Sequence, residues 1–241
     1  MALDAGNVKI YCRGVDLSTA LQSTTLDQTR EEQDVSAYAD PIRVMQPTLG
    51  RVSIAHAGIY GDGAFSISEV FRQAQTTDDE PITIFPEGAV VGNKSFIVLA
   101  HKAALSMPGA VSPGSVHKAS LRASSRKAVA DGVVAFNGAI STSSQTAAYQ
   151  IGALTAGQWV IATVHLLGLT SSPNATFVLE SDNAGGFPSG VTAATSAAQT
   201  TRGSVLLLAP GPQVDDWWRV RWTFSGTGNF TAVIGLGIAI A

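Results

Sequence analysis

Alternation of apolar and polar residues with a period of two runs through most of this 241-residue chain. It marks segments 51–60, 95–105, 117–125 and 133–138, where β-branched and aromatic residues are frequent. Glycine, proline and asparagine interrupt the chain between these segments. Because successive side chains of a β-strand point to opposite faces, this pattern predicts half-buried strands joined by turns. The chain is therefore predicted to be mainly β.

One segment, residues 65–75, departs from this alternation. Its apolar residues recur at the spacing of a single helical stripe: Ile67, Val70, Phe71 and Ala74. Ser66 and Glu69 form a capping box, in which each side chain bonds a backbone amide that the first helical turn leaves unpaired. We predict an α-helix at about 65–75 whose apolar stripe packs on a sheet.

The composition changes near Asn137. The small, polar segment 137–150 has the profile of a linker or a slack loop, and all four tryptophans follow it. We predict two domains, residues 1–142 and residues 143–241, the second a β-sandwich. Its strands are predicted near 158–168, 175–181, 204–209, 216–224 and 229–240. The "SGTGN" sequence at 225–229 is predicted to be a hairpin turn.

Charge is scarce in this chain. Charged residues make up 14 % of it, against roughly 25 % in an average soluble domain, which favours a surface that contacts other protein. The net charge of −3 argues against a nucleic-acid binder that neutralises phosphates. The sole cysteine, Cys12, excludes an intrachain disulfide and a thiolate metal cluster, and alternation makes it a small apolar residue of a strand.

Targeting signals are not evident in the sequence. The start "MALDAGNVKI" lacks the basic and apolar regions of a secretory signal, and no stretch approaches the roughly 20 apolar residues of a membrane helix. We expect a soluble protein made in the cytoplasm.

Chemistry-bearing residues are scattered. The four histidines (His56, His101, His117 and His165) are each isolated on strand-like alternation, which favours structural roles. "GIYGDG" at 58–63 lacks the context of a dinucleotide-binding loop. Acidic residues at 78–80 and 215–216 are typical of solvated turns. No catalytic residue, cofactor site or metal site is predicted, and we expect that the protein is not an enzyme.

The "DWWRVRWTF" segment at 216–224 has two distinct faces by alternation. One face is predicted to be sandwich core: Trp218, Val220, Trp222 and Phe224. On the other face Trp217, next to Arg219 and Arg221, is a candidate exposed platform for sugar stacking. These three residues form a candidate outer-surface binding site.

Residues 24–48 form a long polar arm near the start of the chain. It contains two prolines and no apolar run that could cover a core. Its charged residues are Asp27, Arg30, Glu31, Glu32, Asp34, Asp40 and Arg43. Such an arm has little to bury by itself, so its composition predicts that it is not ordered before assembly.

The order of segments in the first half resembles the tail tube protein family of long-tailed, non-contractile bacteriophages (siphoviruses). The similarity is carried by "VKIYCRGVDLSTAL" at 8–21, the polar arm, "GIYGDGAFSISEVF" at 58–71 and "PEGAVVGNKSF" at 86–96. The second half is similar to a β-sandwich extension found on some tube proteins, in "QWVIATVHLLG", "VLESDNAGGFPSG" and the segment 217–240.

This resemblance implies a structural virion protein with a tail-tube β-sandwich or barrel domain, one packed helix and a smaller Ig-like β-sandwich. It implies hexameric rings that stack into the tail tube, a conduit for genome ejection whose lumen passes DNA without specific binding. The implied partners are the protein itself, a tape-measure protein, a tail terminator and distal tail or baseplate proteins. The arm is implied to contact the next ring, and the second domain to lie outside the tube.

Two other interpretations stay open. The chain is also consistent with another ring component of the tail, a terminator or a distal tail protein. From a different class, it is consistent with a β-sandwich carbohydrate-binding module that uses Trp217. Stacking into tubes, single rings or a small sugar-binding particle would distinguish the three.

Overall fold

A computed structural model describes residues 7–18, 21–34, 45–59, 70, 80–106, 118–125 and 129–240. The described chain is mainly β, as predicted, and all strand pairs within it are antiparallel. The strands are β1 (Lys9–Cys12), β2 (Val15–Asp16), β3 (Leu21–Asp34), β4 (Met45–Ile59), β5 (Glu80–Phe85), β6 (Lys94–Ser106), β7 (Lys118–Ser125), β8 (Ala130–Ile140), β9 (Ser144–Gln145), β10 (Tyr149–Gln150), β11 (Gln158–Asp182), β12 (Val191–Thr195), β13 (Gly203–Pro210) and β14 (Trp217–Ile240). They form one sheet, whose main path runs β12-β11-β14-β8-β6-β5-β1-β2.

The longest ladder joins β11 to β14 over the whole length of both strands. The prediction of a hairpin turn at 225–229 is wrong, because these residues lie within β14, opposite residues 170–174 of β11. Gly226 and Gly228 have φ angles of +90° and +88°. A Cβ atom on Gly228 would lie 2.0 Å from the carbonyl oxygen of Thr170. These glycines therefore allow a paired strand to bend and to approach its partner closely, and they do not form a turn.

The β11–β14 ladder folds back on itself. Phe136, which lies opposite Ile234 of β14, has its ring centroid 5.0 Å from that of Trp222. In a straight strand, Trp222 and Ile234 would be separated by roughly 40 Å, at about 3.3 Å per residue. Both halves of the ladder therefore line one sandwich core.

A β-bulge allows both halves of β11 to face that core. The pairing shifts between Leu166 and Gly168, so β11 has one more residue than β14 at this point. Since side chains alternate, one extra residue exchanges the two faces of the strand. The buried core residues of β11 are accordingly even-numbered before the bulge and odd-numbered after it: Val160, Ala162, Val164 and Leu166, then Ala175, Phe177 and Leu179.

The two predicted domains share one sheet and two apolar clusters. β8 pairs with the second half of β14, and one buried cluster joins Tyr11 and Phe85 to Val233. Another cluster joins Ile97 to Ile161. The predicted boundary at residue 142 falls within this continuous sheet, and the division into two domains stays a prediction.

Residues 137–150, interpreted as a linker or a slack loop, are hydrogen-bonded along the sheet. Residues 137–140 end β8, and β9 and β10 both pair with β14. Trp222 Nε1 donates a hydrogen bond to the carbonyl oxygen of Thr142 at 2.9 Å, and Thr146 Oγ1 accepts one from the amide of Val220 at 3.1 Å. Small polar residues fit here because the segment runs along the sheet and bonds it through its backbone and hydroxyl groups.

The predicted helix at 65–75 lies outside the described residues except for Val70, which is helical and buried. Val70 belongs to an apolar cluster with Ile10, Cys12 and Ile82 of β1 and β5. Cys12 is buried as predicted, and burial raises the pKa of its thiol well above the usual value. In the described part of the chain, no helix is long and apolar enough to cross a membrane.

Candidate assembly surface and outer face

The polar arm is a β-ribbon in the described part of the chain. β3 pairs with β4 from Leu21 opposite Gly58 to Asp34 opposite Met45. β4 also pairs with β7, but only from Val52 to Ile59. Within the described residues, the part of β4 before Val52 therefore pairs with β3 alone. The ribbon projects past the end of β7.

The structure distributes the predicted arm residues along this projecting ribbon. Asp27 is exposed and lies opposite Ser53. Glu31 falls at a β-bulge, where the pairing shifts between Arg30 and Glu32. The remaining paired positions are Arg30 opposite Gly50, Glu32 opposite Pro47 and Asp34 opposite Met45. Asp40 and Arg43 lie outside the described residues.

The two faces predicted for segment 216–224 are confirmed. Trp218, Val220 and Trp222 are buried in the sandwich core, and Phe224 packs against it partly buried. Trp217, Arg219 and Arg221 lie on the opposite face and are partly buried. Strand alternation alone was sufficient to separate these two sets.

The two arginines converge on one buried carboxylate. Arg219 Nε donates to Glu180 Oε2 at 2.8 Å, and Arg221 Nε donates to Glu180 Oε1 at 2.6 Å. Glu180 has a side-chain exposure of only 7 %, against 39 % for Arg221. Burial of a carboxylate is tolerated when charged donors saturate it. Arg219 and Glu180 thus form a mostly buried ion pair, and the guanidinium of Arg221 is the more exposed of the two.

A loop at 183–190 is held against this face by residues that sequence reasoning missed. Asp182 accepts hydrogen bonds from the amides of Ala184 and Ser189, at 3.0 and 2.9 Å. The Arg219 guanidinium lies 4.1 Å from the centroid of the Phe187 ring. The alternation of "VLESD" could have placed Glu180 and Asp182 on one polar face. Nothing local could have shown that Phe187 reaches Arg219.

Trp217 also contacts this loop. A Cβ atom on Gly185 would lie 3.1 Å from the Trp217 ring, so the indole packs closely on the glycine backbone. The sugar-stacking role of Trp217, Arg219 and Arg221 stays a prediction, and the surface open to such a ligand is restricted by the loop.

His165 lies in a buried polar chain between β5, β11 and β13. Its Nε2 shares a 2.8 Å hydrogen bond with Thr83 Oγ1, and its Nδ1 shares a 3.0 Å hydrogen bond with Ser204 Oγ. Thr83 Oγ1 also shares a hydrogen bond with Thr163 Oγ1 at 2.9 Å. Burial lowers the pKa of His165 to about 3. The imidazole is therefore neutral and joins strands of both halves of the chain.

Across the residues that the structure describes, no group of three or more His, Cys, Asp or Glu side chains could hold a metal ion. Of the predicted site residues, Arg219 and Arg221 instead share the carboxylate of Glu180.

Comparison with solved structures finds similar chains in several assemblies. A chain of a native gene transfer agent virion is 18 % identical, covers 54 % of this chain and 98 % of its own, and has a TM-score of 0.38. A chain of an extended sheath–tube complex from an extracellular contractile injection system is 9 % identical, covers 55 % and 93 %, and has a TM-score of 0.42. The Dit protein of phage SPP1, described as a paradigm of the hub adsorption apparatus in Gram-positive infecting phages, is 11 % identical, covers 96 % and 98 %, and has a TM-score of 0.34.

No protein-family model matches the chain, and no curated protein matches it either.

Proposed function

We propose that this chain is a structural protein of a phage tail that forms hexameric rings, and that these rings stack into the tube of a long-tailed, non-contractile phage. The projecting β3–β4 ribbon is the observation that carries the proposal. An isolated two-stranded ribbon is marginally stable in water, and its unpaired edges are a template for another chain. The order of segments that resembles tail tube proteins agrees with this assignment.

In this proposal residues 1–142 form the rings and the tube wall, and residues 143–241 lie outside the tube. The β8–β14 ladder would hold residues 143–241 firmly on residues 1–142, because separating the two segments would break a central strand pair. The ribbon reaches the next ring, and repetition of such a head-to-tail contact gives an open filament.

The tube would be a conduit through which DNA passes during ejection without specific binding. A net charge of −3 suits this role, since a wall rich in cations would retain phosphates. The expected partners are further copies of this chain, a tape-measure protein, a tail terminator and distal tail or baseplate proteins. The protein is placed in the virion tail, without insertion into a membrane.

Negative-stain electron microscopy of the purified protein across a concentration series tests this proposal. We expect hollow tubes of uniform width, and a variant that lacks residues 28–44 should leave rings or monomers. Trp217→Ala, which alters only the outer face, serves as a control and should still form tubes. Single rings that never stack would favour a terminator or distal tail protein, and a small monodisperse particle would contradict self-assembly.

A further inference from the structure

Charge is segregated along the β3–β4–β7–β6 part of the sheet. We define the acidic end as residues 27–34 and 45–52, which project past β7 or lie at its edge. It contains four acids and two cations: Asp27, Glu31, Glu32 and Asp34, with Arg30 and Arg51. We define the cationic end as residues 21–26, 53–59, 101–106 and 118–125. It contains Lys102, Lys118 and Arg122 and no acid.

The strand register sets these two ends apart. Arg122 lies opposite Ala55, and Ala55 lies opposite Thr25. Asp27 lies only two residues from Thr25, whereas Glu32 lies roughly 24 Å from Thr25 along the ribbon, at about 3.4 Å per residue. Lys118 lies opposite Ile59, further still from the acidic end. The Debye length is about 8 Å at physiological ionic strength, so the backbone positions of Glu31, Glu32 and Asp34 lie more than one Debye length from that of Arg122.

From this segregation we propose that the acidic end of one copy docks on the cationic end of a copy in the next ring. The inference rests on the proposed function and names the partner surface of the ribbon. Opposite charges at opposite ends give a head-to-tail contact that fixes the polarity of stacking. Two acidic ends repel each other, so the reversed orientation is disfavoured.

Lys94 does not belong to this surface. It lies on the part of β6 that pairs with β8, and its Nζ is 3.2 Å from Asp131 Oδ2. The charge of Lys94 is therefore matched within the chain. The strand segments that form the cationic end contain no acid in their sequence, and in this proposal a second copy supplies the opposite charge.

Charge reversal tests this contact, with tube formation measured by light scattering and electron microscopy. Glu31→Lys with Glu32→Lys makes both ends cationic, and we expect the concentration for half-maximal stacking to rise at least tenfold. Lys118→Glu with Arg122→Glu makes both ends acidic and should have the same effect. All four substitutions in one chain restore opposite ends and should restore stacking.

The matched control is Glu87→Lys with Asp216→Lys, which changes the net charge by the same amount outside both ends and should stack like the wild type. Thermal unfolding of each variant checks that the monomer folds. In the wild type, stacking should weaken as salt rises from 50 to 500 mM.

Each result has a distinct meaning. Stacking that is unaffected by Glu31→Lys with Glu32→Lys, or that the fourfold variant fails to restore, overturns the charge pairing and leaves the tube proposal intact. A wild type that never associates overturns both.

Discussion

The buried residue His165 should make this protein less stable in acid. The side chain is fully buried, its hydrogen-bond partners are the hydroxyls of Thr83 and Ser204, and burial lowers its pKa to about 3. In the unfolded chain a histidine has a pKa of about 6.5. Between these two pKa values the imidazole is protonated in the unfolded state and neutral in the folded state. Stability is therefore complete above pH 6.5 and falls as the pH decreases towards 3.

The magnitude follows from the size of this gap. Each pH unit below 6.5 costs about 1.4 kcal/mol of unfolding free energy. The loss between pH 6.5 and pH 4.5 is then roughly 3 kcal/mol. Since domains of this kind are stable by about 5–15 kcal/mol, a loss of this size is measurable and large.

Urea denaturation at pH 7.5, 6.5, 5.5 and 4.5 measures the effect, with His165→Gln as the comparison. Glutamine keeps an amide that can bond the two hydroxyls but does not titrate in this range. At pH 7.5 the variant should be the less stable protein, because its packing is imperfect. Between pH 7.5 and 4.5 it should lose roughly 3 kcal/mol less than the wild type.

Subtraction of the two profiles removes the contributions of the other titrating groups, which are common to both proteins. NMR offers a direct check, since the imidazole signals of His165 should not shift between pH 8 and pH 4.5. Equal losses of stability in the wild type and the variant over this range would refute the reasoning.

Three further predictions concern the sheet. Trp218→Ala should lower the unfolding free energy by about 3–5 kcal/mol because it leaves a cavity in the core. Trp217→Ala on the opposite face should lower it by roughly 1–2 kcal/mol. Comparable urea midpoints for the two variants would contradict the assigned faces. Gly228→Ala should lower the unfolding free energy by about 1–3 kcal/mol or more, because the φ angle of Gly228 is +88° and a Cβ atom would clash with the carbonyl oxygen of Thr170. An unchanged melting temperature would contradict the bent ladder. Glu180→Ala should lower the unfolding free energy by roughly 3 kcal/mol, because two partly buried guanidinium groups lose their shared partner. Proteolysis within loop 183–190 should also become faster. An unchanged cleavage rate would show that Arg219 does not hold this loop.

The elements that sequence reasoning predicted correctly are those whose signal is local. The strands at 51–60, 95–105, 117–125 and 133–138 follow from alternation, and they correspond to β4, β6, β7 and β8. The same alternation separated the buried Trp218 from the partly buried Trp217. These predictions succeed because the alternation of side chains is a property of the strand itself.

The errors concern segments whose conformation depends on a distant partner. Glycines at 226 and 228 are the usual sign of a turn, yet here a paired strand uses their positive φ angles to bend. Residues 137–150 have the composition of a linker, but β14 offers them a row of backbone partners. Neither context can be read from residues nearby in the chain.

The candidate sites divide in the same way. The charged residues of the arm were evident from composition, whereas their order along a ribbon that projects past β7 depends on the register of three strands. His165 looked like an isolated histidine because its partners Thr83 and Ser204 are distant in sequence. Glu180 and Phe187 were missed because their contacts with Arg219 form only when a loop folds over the sheet.

The sequence by itself determined which residues form strands and which face of each strand is apolar, since both depend on side-chain chemistry at a spacing of two. Only the tertiary structure decided that the β11–β14 ladder folds back on itself and that one bulge near Leu167 turns both halves of β11 towards one core. It also decided that Glu31, Glu32 and Asp34 lie on a ribbon at the end of the β3–β4–β7–β6 part of the sheet that is distant from Lys118. Strand partners and bends are chosen by contacts between residues far apart in the chain, and no local pattern encodes that choice.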